Sequence, residues 1–323
     1  MKLLTERPFS DELIAELRQA DPQLELVYVN PREVERLHAE AADADVIYGS
    51  YGGGSGERFR RLLTGALQAR WIHTTSAGVD EILCPEFFQR EITMTCAKGE
   101  AVASLLAEHA MALLLAISRA IVPAARSASW QREAHTRGPI EIRGQTMGIV
   151  GFGGVGRELA QRALAFGMRV IGIKAHPTPP PPGVEAVWGP ERLPELLAQS
   201  DVVVLILPNT PATEGSFGEA QLRQMKPSAI LINVGRGQVM DGTAVERALV
   251  EGWIAGAGLD VMPIEPWPGE SPLWKMNNVL LTPHIAGNGT QRGARDVQAF
   301  VANYARFVRG EPLHSVVDRQ ARY

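Results

Sequence analysis

The stretch Gly151-Phe-Gly-Gly-Val-Gly156 narrows the possible folds of this chain more than any other. It follows the apolar run Met147-Gly-Ile-Val150 and opens a helical segment, 157–166, that stops at Gly167, where glycine suits the position just past a helix end. A short buried strand, a glycine turn and a helix form the first part of a β-α-β crossover, so the stretch predicts a parallel sheet. Glycines at 151, 153 and 156 also let a backbone approach a pyrophosphate seated on the helix N-terminus, which is the context that separates a dinucleotide site from a chance match.

The rest of the chain repeats that rhythm. Short β-branched runs at 24–29, 46–48, 71–74 and 92–96 alternate with helical stretches, and further strands are predicted at 170–173, 202–207, 229–233, 256–259 and 279–281. Ser10 and Asp11 precede Leu13, Ile14 and Leu17 at helical spacing, reading as a cap and first turn. A second helix begins after Pro31 and reaches about residue 42, and the alanine-rich stretch 101–121 reads as one helix buried on more than one side. With 323 residues, the expected fold class is α/β, with two doubly wound parallel-sheet domains. The proline run 177–182 falls just after the second strand of the glycine-turn unit, where a stiff turn can rim a pocket.

Composition excludes several function classes. A net charge of −4 gives no electrostatic reason for nucleic acid or an anionic membrane as partner, and the longest apolar stretch, 110–117, is too short to span a bilayer. Met1-Lys-Leu-Leu-Thr-Glu-Arg-Pro has no secretory core, so a cytoplasmic protein with a small-molecule ligand is expected. No metal site is expected: Cys84 and Cys96 lack metal spacing and read as free thiols, and His73, His135 and His176 have no companions at ligand spacing. Glu108 and His109 are adjacent and cannot face one ion from a helix. Gly52-Gly-Gly54 lacks the lysine of a phosphate loop and reads as a flexible or substrate-facing loop.

Three charged residues then state a chemistry. Arg236 lies in Asn233-Val-Gly-Arg-Gly237, Glu265 in Leu259-Asp-Val-Met-Pro-Ile-Glu-Pro266, and His284 in Thr282-Pro-His284. An arginine holds a carboxylate through two parallel hydrogen bonds, a histidine moves a proton near neutral pH, and a glutamate orients that histidine. At the end of the strand after the glycine turn, an acidic residue would read the ribose hydroxyls of NAD. This chain offers Lys174, Ala175 and His176, so NADP(H) is expected to be favoured over NAD(H), unless Lys174 is simply a solvated strand end.

These phrases, with Ser76-Ala-Gly-Val-Asp80, Ala107-Glu-His109, Phe166-Gly-Met-Arg-Val170 and Leu207-Pro208 followed by Thr210 and Thr213, resemble the D-isomer-specific 2-hydroxyacid dehydrogenase family, of the glyoxylate/hydroxypyruvate reductase type. The resemblance implies a Rossmann cofactor domain, 98–286, inserted into a flavodoxin-like substrate domain made of 1–97 and 287–323, with the active site in the cleft between them. It implies reduction of a small 2-keto acid to the D-2-hydroxy acid with NAD(P)H. Arg236 would bind the substrate carboxylate, His284 would act as general acid and base, and Glu265 would fix the histidine's tautomer. Cofactor contacts are implied for Gly151, Gly153, Gly154, Val155, Gly156, Lys174, Leu207, Pro208, Thr213, Val234, Gly235, Arg236, Asp260, His284 and Gly287, with Asp260 accepting from the nicotinamide carboxamide. Ala77 and Gly78 would cradle the substrate carboxylate with backbone amides, beside Arg236 and His284. A homodimer joined through the cofactor domains is implied too. Formate dehydrogenases of this superfamily carry glutamine where this chain has Glu265. Phosphite oxidation uses the same arginine, glutamate and histidine, and stays open, as does a cofactor-sensing corepressor. For Tyr51, Trp71, Trp130 and Trp267 ordinary core or interface packing is the expected role, with a pocket wall the alternative.

Overall fold

The computed structural model describes residues 1–51, 56–130, 132–133 and 138–323, without the side chain of Glu100; Gly52 to Gly54 and His135, singled out above, lie outside the described residues. The chain divides into two compact units, Met1–Val102 with Gly289–Tyr323, and Ala103–Asn288.

The first unit runs β1 (Lys2–Thr5), α1 (Asp11–Ala20), β2 (Glu25–Tyr28), α2 (Val34–Ala41), β3 (Val46–Gly49), α3 (Gly56–Gly65), β4 (Trp71–Thr74), α4 (Pro85–Phe88) and β5 (Thr93–Cys96). Its five strands are parallel in the order β2-β1-β3-β4-β5. The inner strands β3 and β4 are buried along their whole length, which is why they read as mostly apolar or β-branched runs, with His73 the exception in β4. Ser10 caps α1 by accepting from the Leu13 amide, as its side chain suggested. β1 escapes sequence reading because Lys-Leu-Leu-Thr has neither a β-branched run nor flanking turn residues; only its pairing on both sides makes it a strand.

The second unit runs α5 (Ala103–Ser118), α6 (Ile121–Arg126), β6 (Thr146–Val150), α7 (Gly154–Ala165), β7 (Arg169–Ile173), β8 (Ala186–Trp188), α8 (Leu193–Gln199), β9 (Val202–Leu205), α9 (Glu219–Leu222), β10 (Ile230–Asn233), α10 (Gly242–Val250), β11 (Gly256–Leu259) and β12 (Val279–Leu281). Seven parallel strands lie in the order β12-β11-β10-β9-β6-β7-β8, so the chain reverses direction across the sheet between β8 and β9. That reversal places β6 beside β9 at a topological switch point, outside whose carboxyl ends ligands bind in such sheets. The stretch expected as one helix over 101–121 is two, because Ala120 takes a left-handed φ of 54° between α5 and α6. α5 is apolar nearly all round and packs on α7 and on β10, β11 and β12.

α11 (Arg292–Val308) then returns to the first unit. Its Phe300 and Tyr304 are fully buried with Leu3, Tyr48 and Trp71, so one long amphipathic helix closes one face of the five-stranded sheet. Past the helix, the Val317 amide donates to the Met94 carbonyl at 2.8 Å, adding the chain end to β5.

Candidate active site

The glycine turn sits at the C-terminal end of β6 and its three glycines serve different ends. Gly151 has φ 106°, and a Cβ there would collide with the Ile206 carbonyl, so a side chain is excluded by conformation and by space. A Cβ at Gly156 would press the Gly151 oxygen at 2.9 Å, which makes that glycine a matter of helix-to-turn packing. Only Gly153 faces open space, with nothing within 4 Å of its would-be Cβ. It precedes the first turn of α7, which carries Gly154 and Val155 and no acidic residue. Bare amides, a helix N-terminus and room for close approach fit a pyrophosphate. Of the three, Gly151 and Gly156 are held to glycine by the protein's own backbone, and Gly153 alone has open space beside it.

On the other side of the switch point, Leu207 and Pro208 follow β9, both half-buried. The Thr213 hydroxyl donates to the Pro208 carbonyl at 2.6 Å and accepts from the Thr210 amide at 2.9 Å, folding that loop on itself. Lys174 is half-buried just past β7, its amide donating to the Trp188 carbonyl, and among the described residues its ammonium has no carboxylate partner within 4.0 Å.

Arg236, Glu265 and His284 all lie beyond the C-terminal ends of adjacent strands, β10, β11 and β12. The fully buried Asn233 holds the arginine turn: its Oδ1 accepts from the Gly235 amide at 2.9 Å and its Nδ2 donates to the Arg236 carbonyl at 3.1 Å. Gly235 packs on Leu207, whose backbone N and O would both lie 2.9 Å from a Cβ, and Val234 before it is buried. A Cβ at Gly237 would overlap the Met262 backbone, so the arginine turn is pressed against the loop of Glu265. In that loop Glu265 accepts from the Met262 amide through Oε1, at 3.1 Å, and meets His284 Nδ1 through Oε2, at 2.8 Å. The His284 and Glu265 side chains are 51% and 39% exposed, and Nε2 of His284 has no partner among the described residues. A histidine with one nitrogen fixed on a carboxylate and the other open can exchange a proton with a ligand.

Asp260 ends β11 and is buried, yet its carboxylate turns onto its own protein. Oδ1 accepts from Thr282 Oγ1 at 2.6 Å and from the Ile285 amide at 2.9 Å, and Oδ2 from the Ala286 amide at 2.8 Å. Burial pushes this carboxyl up, but hydrogen bonding by His109, Thr282 and the Ala286 and Ile285 amides outweighs it and holds the group below the usual aspartate range. Gly287 follows, half-buried. Ala77 and Gly78 belong to the first unit, half-buried in the loop after β4. Of the candidate pocket aromatics, Tyr51 and Trp71 are fully buried, Trp267 packs on Gly242, and Trp130 is 97% exposed. Among the described residues there is no cluster of three or more metal-ligating side chains, and no helix long and apolar enough to cross a membrane.

The family described as D-isomer specific 2-hydroxyacid dehydrogenase, NAD binding domain, matches residues 111–286. The chain is 39% identical over 271 residues to a glyoxylate reductase from Thermococcus litoralis, covering 80% of each, and 36% identical over 308 residues to one from Pyrococcus furiosus, covering 91% of this chain and 89% of that one. An NADPH-dependent glyoxylate/hydroxypyruvate reductase from Sinorhizobium meliloti, solved with NADP and sulfate, superposes with a TM-score of 0.80 at 27% identity over 100% of this chain and 99% of that one.

The chain belongs to the D-isomer-specific 2-hydroxyacid dehydrogenase family. It is an oxidoreductase, and its second unit carries the NAD-binding domain of that family. Two residues of this dehydrogenase escaped sequence reasoning. Asn233 was read only as part of the arginine phrase, although it clamps the turn from a fully buried position. His109 cannot share an ion with its neighbour Glu108, yet its Nε2 lies 2.9 Å from Thr282 Oγ1 and 3.4 Å from Asp260 Oδ1. No sequence signal joins residues 173 positions apart; a histidine on the mostly apolar α5 is the available hint.

Proposed function

We propose that this dehydrogenase reduces a small 2-keto acid, of the glyoxylate or hydroxypyruvate kind, to the D-2-hydroxy acid, with NADPH favoured over NADH. The observation that carries the reading is the His284–Glu265 pair, one imidazole nitrogen tied to a carboxylate at 2.8 Å and the other open. A bound nicotinamide coenzyme would supply the hydride that forms the new C–H bond at C2. Arg236, its backbone clamped by Asn233, is assigned to grip the substrate carboxylate through its guanidinium fork and to polarise the keto group. His284 Nε2 gives its proton to the keto oxygen as the C=O bond becomes C–OH, and Glu265 balances the imidazolium beforehand and fixes the ring's orientation. In the reverse direction the same nitrogen takes the proton. Ala77 and Gly78 are assigned amide contacts to the substrate carboxylate. The coenzyme's pyrophosphate is assigned to the turn at Gly153 to Gly156, and an adenosine 2′-phosphate to Lys174. Glyoxylate reductase relatives and the NADP-bound neighbour support the substrate class and the coenzyme. A homodimer is proposed on the family resemblance, with light scattering as its check.

A screen of glyoxylate, hydroxypyruvate, pyruvate, phenylpyruvate and 2-ketoisocaproate with both coenzymes, and of phosphite with both oxidised coenzymes, tests the reading. Glyoxylate or hydroxypyruvate is expected to give the highest kcat/KM, with NADPH. Turnover confined to phosphite, or coenzyme binding without turnover of any compound, overturns it.

A further inference from the structure

The loop that carries His284 is held from an unexpected side. Its His284 has φ 53°, a left-handed value that a non-glycine residue keeps only when its surroundings impose it. Asp260 imposes much of it. The Asp260 carbonyl accepts from the His284 amide at 2.8 Å, while the carboxylate takes Thr282 Oγ1 and the Ile285 and Ala286 amides, so four contacts fall on five consecutive residues. The carboxylate is buried, and among the described residues His109 is the one cationic or potentially cationic side chain within 4.0 Å of it.

The direction of each hydrogen bond follows from counting protons. An ionised carboxylate only accepts, so the single hydroxyl proton of Thr282 goes to Asp260 across 2.6 Å. Facing His109, the same oxygen must then accept, and Nε2 of His109 must carry the hydrogen across 2.9 Å. The result is a directed chain, His109 Nε2–H to Thr282 Oγ1–H to Asp260 Oδ1, running from α5 to the loop beyond β12. We propose that His109 and Thr282 are positioning residues of the reaction, and that this chain fixes the Asp260 carboxylate and through it the place of His284 Nε2. The inference rests on His284 being the proton-transfer residue. Proton transfer is steep in donor placement, so a loop that relaxes by a fraction of an ångström slows turnover while the Glu265–His284 contact survives.

Four variants of the full-length protein test this with glyoxylate and NADPH, beside His284→Ala. Thr282→Val removes the hydroxyl at nearly constant shape and Thr282→Ser restores it; His109→Ala removes the donor and His109→Gln restores a non-titrating N–H. We expect kcat to fall about tenfold in Thr282→Val and His109→Ala, as the loss of one hydrogen bond in the transition state would give. Thr282→Ser and His109→Gln should stay within about threefold of wild type, and NADPH Kd, read by tryptophan fluorescence quenching, within about threefold in all four. His109 is partly exposed on α5, so its variants are expected to fold and keep the test decisive should Thr282→Val fail to fold. Wild-type kcat in Thr282→Val and His109→Ala, with His284→Ala inactive, overturns the chain alone. So does a loss confined to Kd or to the thermal midpoint, and so does failure of Ser and Gln to rescue. If His284→Ala itself turns over at the wild-type rate, the assignment of the general acid fails instead.

Discussion

Two histidine–carboxylate pairs, one in each unit, use the same chemistry for opposite ends. His284 Nδ1 meets Glu265 at 2.8 Å with both side chains well exposed to solvent, and His73 Nε2 meets Asp296 at 3.1 Å with side chains 2% and 3% exposed. In the first unit both ring nitrogens of His73 are spoken for. Trp71 Nε1 donates to Thr95 Oγ1 at 2.8 Å, Thr95 meets His73 Nδ1 at 2.7 Å, and Tyr48 donates to Asp296 Oδ2 at 2.7 Å. Burial, and then the Asp296 charge, push the Tyr48 hydroxyl far up, which keeps it a donor. Its ring also stacks on His73 at 5.4 Å. A histidine with both nitrogens occupied is mortar between α11 and the sheet. The one in the second unit has a nitrogen to spare. A pair of residue types therefore says little about function until the unused valences are counted.

The largest expected effect breaks the pair in the second unit. His284→Ala should lower kcat for glyoxylate by about a thousandfold, within the range of general acid catalysis, while unfolding free energy changes by only about 0.5 kcal/mol. Steady-state rates and urea melts check both halves. Asp296→Ala should do the reverse, because it strands the buried Tyr48 hydroxyl and His73 N–H: a loss of about 3 kcal/mol in stability, with kcat per folded molecule within about twofold of wild type. If Asp296→Ala cut kcat tenfold at full folding, the contrast between mortar and machinery would fail. Glu265→Gln comes next. It keeps a hydrogen-bonding side chain beside His284 but removes the charge, and kcat should fall about thirtyfold with little change in thermal midpoint.

How much of this could be read from residues alone differs between the units for a physical reason. In the second unit, close backbone approach imposes glycine at 151, 156, 235 and 237, and such positions leave a visible spacing in the chain. The strands β11 and β12 were legible to the residue, being short runs bounded by turns. In the first unit, stability comes from pairings across great sequence distance, such as His73 with Asp296, 223 positions apart, and Thr95 with Trp71. Nothing local marks either partner, and β1 has no strand-like composition at all. His109 is illegible for the same cause inside the legible unit: its sequence neighbour Glu108 is not its partner, and Thr282 arrives from the far edge of the sheet.

The smallest expected effect carries the contrast onto a single strand. Arg169 opens β7 and is answered within the chain by Glu185, through two bonds of 2.6 and 2.8 Å, while Lys174 just past the same strand meets no carboxylate among the described residues. The rule drawn from the histidines assigns Arg169 to the fold and Lys174 to a ligand. Arg169→Ala removes an exposed ion pair, so it should cost less than about 1 kcal/mol and leave kcat/KM with either coenzyme unchanged. Lys174→Ala removes a cation from where a 2′-phosphate is assigned, so kcat/KM with NADPH should fall about tenfold while that with NADH stays within about twofold. The decisive quantity is the ratio of the two coenzymes, since a general defect in folding or binding lowers both alike. A Lys174→Ala ratio equal to wild type would make that lysine a solvated strand end. It would also show that an unanswered charge at the mouth of a sheet is not by itself a sign of a ligand.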